Sequence, residues 1–373
     1  MDLKKRDFLT AGLIAGAGLA ASPVLAQSAA GEAAAPVAAK AGGKLKSFTG
    51  SGKQTSMVDP NYKPRRLNKA IELWETDQPV FYTTYAPDGL DDGYAMGKAM
   101  AKTWCDAINY ECEQGVFDMS NLRKFMQGLV DGGPTRSGHR TPMVFVSSPV
   151  TGNDEASMRA NAWMLQQILA AGVHAIDLCH ARYPKAVEAA IAALRYAGTY
   201  PGVPPQAREA LRGNGSERFA SHIWGVTGNK YIHLADFWPL NPRGELAFGV
   251  KLEDKVAHAN MNRTLAVPGV SFAEWGPGDS VLSVLGVEFF PEDLQPRPGS
   301  EGVDATADHH DPRVQHLRLA VLAACQAHGI KPLNMSEQHD PIAGYTEGTR
   351  FFGASDEMAV LALREYTKRT MPI

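Results

Sequence analysis

The chain has 373 residues, 44% of them hydrophobic, with 37 basic and 40 acidic side chains and a formal charge of -3. That is enough apolar material for one large globular domain or two small ones. The balanced charge argues against a nucleic-acid binder, which would carry a basic patch or stripe.

Residues 1–26 read as an export signal rather than as part of the fold. Lys4-Lys5-Arg6 is a basic start, Phe8 to Leu25 is apolar but rich in Ala and Gly, and Val24-Leu25-Ala26 is a cleavage site before Gln27. Lys5-Arg6-Asp7-Phe8-Leu9 resembles a twin-arginine signal with Lys for the first Arg, which leaves the Tat and Sec routes both open. The expectation is a periplasmic protein with no integral membrane span in its mature chain. Residues 27–60 follow as an Ala/Gly-rich flexible segment, and 61–373 form the folded domain. Cys105, Cys112, Cys179 and Cys325 fit neither a disulfide framework nor a zinc motif, although Cys112 and Cys179 fall near the ends of nearby strands. Free, buried thiols are expected.

Strand-length apolar runs then alternate with helical stretches. Val80 to Tyr85 is the first strand, followed by a helix from Gly93 to Lys102. Asp106 to Glu111 is the second, with a helix from Met119 to Val130. Pro142 to Ser147 is the third, and its helix, Met158 to Ala171, ends at Gly172 in the C′ position. Val173 to Leu178 is the fourth, before a helix from Pro184 to Tyr196. The fifth is placed near Ser221 to Val226. The sixth ends in Gly249-Val250-Lys251-Leu252-Glu253, the seventh in Phe272-Ala273-Glu274, and Lys331 to Asn334 is the eighth, after a helix from Val314 to His328. Eight such units in roughly 300 residues predict a (β/α)8 TIM barrel, with a doubly wound open sheet as the alternative. No G-x-G-x-x-G follows the first strand, which counts against a dinucleotide site. Residues 200–245 form a long excursion containing Trp224, Tyr231, Phe237 and Trp238, read either as a pocket wall or as a packed lid.

Glu253 and Asp279 fall at the C-terminal ends of adjacent strands, where a barrel places its active site. Two carboxylates plus waters suit a hard divalent cation, Mg²⁺ or Mn²⁺. The Gly276-Pro277-Gly278 turn before Asp279 lets the backbone approach a ligand. His309-His310-Asp311 suggests a second metal site less well than a helix cap at Asp308 or Asp311.

These residues resemble the HpcH/HpaI aldolases, class II pyruvate-type enzymes related to citrate lyase β-subunits. The resemblance rests on Val250-Lys251-Leu252-Glu253, Val267-Pro268-Gly269-Val270 and Gly276-Pro277-Gly278-Asp279. Glu111 to Met119 and Ala170 to Ile176 add to it. It runs from about Pro79 to Leu333. It implies a homo-oligomeric (β/α)8 barrel that cleaves or forms a carbon–carbon bond in a 2-oxo acid through a metal-stabilised enolate. It also implies Glu253 and Asp279 as metal ligands, with the amides of Gly278 and Asp279 holding a small carbonyl substrate. Three positions depart from the pattern. Gln114 replaces the catalytic His, Phe145 replaces the Arg that grips the oxo acid, and Glu111 replaces an Asp. Gln114 can orient a water or hydroxyl but cannot act as a base. Lys251 shares a strand face with Glu253 and could supply the lost charge or a base. His180 could take over proton transfer, and Arg182 could bind an acid group. Phe145 and the aromatic excursion point to an apolar or aromatic substrate. The competing readings are a periplasmic binding barrel that has lost catalysis, and a citryl-type lyase or hydratase.

Overall fold

The computed structural model describes residues 52–198, 203, 209–287, 310–335, 340–354 and 356–373. The expected signal and most of the expected flexible segment, residues 1–51, lie outside the described residues, as do His309 and Asp308. Residues 52–60, the last part of that segment, are tied to the barrel. Asp59 N–H donates to the Thr370 carbonyl at 3.0 Å, and Thr55 is buried against Arg369. The folded domain therefore begins before residue 61.

Eight parallel strands close into a barrel in sequence order: β1 (Val80–Tyr85), β2 (Ala107–Glu111), β3 (Met143–Thr151), β4 (Ala175–Cys179), β5 (Ala247–Lys251), β6 (Phe272–Glu274), β7 (Lys331–Leu333) and β8 (Phe351–Gly353). The helices are α1 (Lys69–Trp74), α2 (Gly93–Met100), α3 (Met119–Gly132), α4 (Glu155–Ala170), α5 (Pro184–Leu194), α6 (Glu217–Trp224), α7 (Gly228–Leu234), α8 (Lys255–Leu265), α9 (Pro277–Leu285), α10 (Pro312–His328), α11 (Pro341–Glu347) and α12 (Glu357–Tyr366). Many begin on an aspartate whose carboxylate accepts first-turn N–H groups, among them Asp118, Asp154, Asp254, Asp311 and Asp356. Asp311 is thus a helix cap, as the sequence suggested.

Two strands differ from the sequence reading. Ser221 to Val226 is not a strand: Ala220, Ile223 and Trp224 recur at helical spacing and form the buried face of α6. The fifth strand is Ala247–Lys251, and the eighth is Phe351–Gly353, too short to stand out by periodicity.

Strand alternation divides the core. Outward residues such as Ile108, Val144, Ile176, Leu178 and Val250 pack beneath the helices. Inward Val80, Ala107, Met143, Phe145, Ala175, Ala247, Phe272, Leu333 and Phe351 fill the lower barrel. Trp74 on α1 caps this layer, its ring 6.1 Å from Trp238 and 5.4 Å from Phe351. The aromatic excursion serves the same purpose. Trp224 stacks on His174 and donates to the Gly172 carbonyl at 2.9 Å, and the Tyr231 hydroxyl donates to the Leu169 carbonyl at 3.3 Å. These partners precede β4, at the end of the barrel away from the strand C-termini. Among its described residues the excursion is packing rather than a pocket wall, and it gives no support to an aromatic substrate. The four cysteines are buried and free; burial pushes Cys105 and Cys112 up to about 12, so they are unreactive thiols.

Asp106 ties the lower end together. Its buried carboxylate accepts two hydrogen bonds from Arg369, at 2.7 and 2.8 Å, and lies 3.0 Å from the Lys69 ammonium and 3.5 Å from Arg364. Asp106→Asn leaves three buried cations without their counter-ion. A loss of about 3–5 kcal/mol in urea unfolding is expected.

Glu72 is a second buried anchor, accepting from the Arg65 and Arg66 N–H groups at 2.9 Å, from the Tyr62 hydroxyl, and from His139 at 3.2 Å. Burial works against its charge, but these donors prevail and hold the carboxyl at about 2. An unfolded glutamate titrates near 4.3, so this contribution is full above that pH and fades as pH falls toward 2. The difference in Tm between wild type and Glu72→Gln should be largest near neutral pH and shrink on acidification below about 4.

Candidate active site at the C-terminal mouth of the barrel

Above the aromatic floor the inward residues turn polar. Asn109 and Glu111 on β2, Ser147 on β3, Asp177 on β4, Lys251 on β5 and Glu274 on β6 succeed one another around the barrel, with Lys251 level with Glu274 in register. Asp177 is 1% exposed, and its Oδ1 has no hydrogen-bond partner among the described atoms. Gly249 beside it admits no side chain: a Cβ there would lie 2.1 Å from the Phe272 ring and 2.7 Å from Asp177 Oδ1.

Three donors converge where β2, β4 and β5 end. One atom from each of Glu113, His180 and Glu253 lies within 4.8 Å of the others. His180 Nε2 is 3.6 Å from Glu113 Oε1, and His180 Nδ1 is 3.5 Å from Glu253 Oε1. The backbone positions each group. Glu111 Oε1 accepts the N–H groups of Glu113, at 2.7 Å, and Gln114, at 3.3 Å, and so fixes the turn after β2. His180 has φ +45, left-handed for a non-glycine residue, and its N–H donates to Glu253 Oε1 at 2.7 Å. Gly276, at φ +53, passes so close to Glu253 that a Cβ would lie 2.3 Å from the Glu253 Cβ.

Lys251 Nζ donates to Glu113 Oε2 at 2.6 Å. Burial disfavours its charge, but the groups around it, Cys179 first and then Glu274, Glu253 and Asp177, prevail and hold it well above an ordinary lysine. Its ammonium is thereby held beside Glu113. Burial pushes the Glu253 carboxyl up to about 8; Lys251 opposes the shift and Glu113 adds to it. Burial likewise raises Asp177 far above the usual carboxylate range.

The remaining sequence candidates separate. Asp279 and Gly278 are half-buried in the first turn of α9, whose N-cap, Gly276, provides no side-chain acceptor for the free N–H groups. Asp279 lies outside the three-residue cluster; the Asp254 hydrogen bond chiefly raises the His180 pKa, and the Asp279 charge adds to it. Gln114 is exposed. Arg182 is engaged by Asp254 Oδ2, at 2.7 Å from Nε, and by Asn153. Phe145 is 2% exposed, with its ring 5.1 Å from Phe351, 5.2 Å from Tyr82 and 6.1 Å from Phe272. It belongs to the floor and presents no surface to a ligand. Sequence reasoning missed Glu113, Asp254 and Asp177. Asp177 carried a signal, an acid at an inward position of an otherwise apolar strand.

The donor set fits a divalent cation. It offers two carboxylates and an imidazole on rigid strand ends, above an inward carboxylate oxygen that lacks a partner.

No protein-family model and no curated protein matches the sequence. Solved structures do match. An HpcH/HpaI aldolase/citrate lyase family protein from Burkholderia cenocepacia J2315 is 19% identical with a TM-score of 0.53, over 80% of this chain and 96% of that one. An HpcH/HpaI aldolase from Desulfitobacterium hafniense DCB-2 is 16% identical with a TM-score of 0.52, over 80% and 93%. The citrate synthase SbnG is 14% identical with a TM-score of 0.50, over 81% and 95%. The chain has the (β/α)8 barrel fold of these proteins.

Gly276→Ala forces a side chain into both a left-handed backbone and Glu253. A loss of about 1–3 kcal/mol is expected in chemical denaturation, together with weaker binding of Mn²⁺ by calorimetry.

Proposed function

We propose that the chain is a divergent member of the HpcH/HpaI aldolase/citrate lyase group, and a divalent-metal-dependent carbon–carbon lyase acting on a 2-oxo acid. The convergence of Glu113, His180 and Glu253 at the barrel mouth, beside the uncapped start of α9, carries this reading. A bound Mg²⁺ or Mn²⁺ would act as a Lewis acid toward a carbonyl oxygen on which negative charge develops.

The chain's own groups divide the remaining work. The amides of Gly278 and Asp279 at the α9 N-terminus bind the substrate carboxylate, as helix starts bind anions. Lys251 sets a permanent positive charge beside Glu113, where it can stabilise a developing oxyanion, a task Phe145 cannot perform from the floor. Glu111 holds the loop that carries Glu113. The exposed Gln114 and the buried Phe145 favour a second reading, a barrel that binds an oxo acid without cleaving it.

A panel of 4-hydroxy-2-oxo acids and citryl-type substrates, assayed for carbonyl product with Mn²⁺ and then EDTA, separates the two. Product that EDTA abolishes, and that falls at least about 100-fold in Glu253→Gln without recovery in excess Mn²⁺, is the expected result. Turnover indifferent to EDTA and to that substitution overturns the lyase reading. Binding without product selects the second.

A further inference from the structure

We propose that His180 is itself a metal ligand, so that this barrel holds its cation with a nitrogen donor alongside the carboxylates of Glu113 and Glu253. This rests on the reading above that the mouth takes a divalent cation, and it assigns His180 a role other than the proton transfer its sequence position suggested.

Distance is the first argument. Ligands about 2.1 Å from an ion stand about 3.0 Å apart in an octahedral arrangement and about 3.4 Å apart in a tetrahedral one. His180 Nε2 stands 3.6 Å from Glu113 Oε1, and one ligand atom of each of Glu113, His180 and Glu253 lies within 4.8 Å of the others. Side-chain adjustment within that span would draw the three donors onto one ion.

The second argument is what holds the imidazole. His180 Nδ1 lies 3.4 Å from Asp254 Oδ2. Asp254 is fixed from both sides: Oδ2 accepts from Arg182 Nε at 2.7 Å, and Oδ1 accepts from the Val256 and Ala257 N–H groups at 2.9 and 3.0 Å. A carboxylate held on one ring nitrogen selects the tautomer with its proton there and leaves the lone pair on the other. That other nitrogen, Nε2, is the one facing Glu113. Arg182 and Asp254 are then positioning residues.

The third argument is backbone strain. Holding His180 at φ +45 costs free energy, and its N–H is fastened to the Glu253 carboxylate. One turn therefore sets the imidazole and the carboxylate together. Lys251 completes the arrangement by taking Glu113 Oε2 and leaving Oε1 toward His180. An imidazole shifts preference away from Mg²⁺ toward Mn²⁺, Fe²⁺, Co²⁺ or Zn²⁺.

The test is spectroscopic. The full chain is loaded with Mn²⁺, and nitrogen hyperfine coupling is sought by electron spin-echo envelope modulation, with nitrogen-isotope labelling of histidine to assign it. Coupling from an imidazole is expected in wild type. In His180→Gln the coupling should vanish and Mn²⁺ should bind at least about tenfold more weakly, while Mg²⁺ affinity changes less. Asp254→Asn should keep the coupling and weaken Mn²⁺ by about 10–100-fold. Bound Mn²⁺ without histidine coupling in wild type overturns the proposal and leaves the metal reading standing. Failure of wild type to bind Mn²⁺, Co²⁺ or Zn²⁺ in calorimetry overturns both. The decisive spectrum is of wild type, so a variant that fails to fold does not spoil the test.

Discussion

Lys251 is the positive charge that allows several carboxylates to share the mouth of one barrel. Glu113, Glu253, Glu274 and Asp177 reach this small, largely dry volume from four strands or strand ends, and isolated carboxylates there would repel one another and lose hydration. The ammonium, bonded to Glu113 and level with Glu274, offsets part of that repulsion. Burial and the remaining excess of negative charge push Glu253 and Asp177 toward their neutral forms. The same imbalance gives the mouth its chemistry, since negative donors in excess over cations attract a further cation.

The barrel keeps this charge at one end by a strict division of its interior. Alternation along each strand puts every second residue inside, and height along the strand decides its character. Phe145, Phe272, Phe351 and Tyr82 form an aromatic layer, and Trp74 and Trp238 seal it from below. Two residues higher the inward positions are Asn109, Ser147, Asp177 and Glu274. The floor keeps water from reaching the acids through the barrel and gives the loops of the mouth a rigid base. At the opposite end Asp106 carries the complementary arrangement, one buried carboxylate among three cations. The two charge clusters are held apart by the packed rings.

Catalysis in such a barrel depends on a few strand-end residues more than on the fold. The solved structures that share this architecture are 14–19% identical to the chain, a likeness that shows the fold and leaves the rim to be read from this chain's own residues. Phe145, where the resemblance led to an Arg being expected, belongs to the floor, while Lys251 projects from β5 and His180 follows β4.

Much of this was legible in the sequence because it is local. Apolar runs marked seven of the eight strands, Asp311 marked a helix start, and the placement of Glu253, Gly276 and Asp279 marked the C-terminal mouth. Ser221–Val226 misled because a short amphipathic helix and a strand can share the same apolar residues, and β8 was too short to show a period. What tertiary structure alone decided is which side chains meet. Glu113, His180 and Glu253 come from three strand ends up to 140 residues apart (positions 113 to 253). No local pattern records that Asp254 faces an imidazole, that Gln114 faces solvent, or that Phe145 faces three other rings. Barrel closure sets those neighbours, because strand register and stagger, rather than sequence spacing, fix which inward residues stand at the same height.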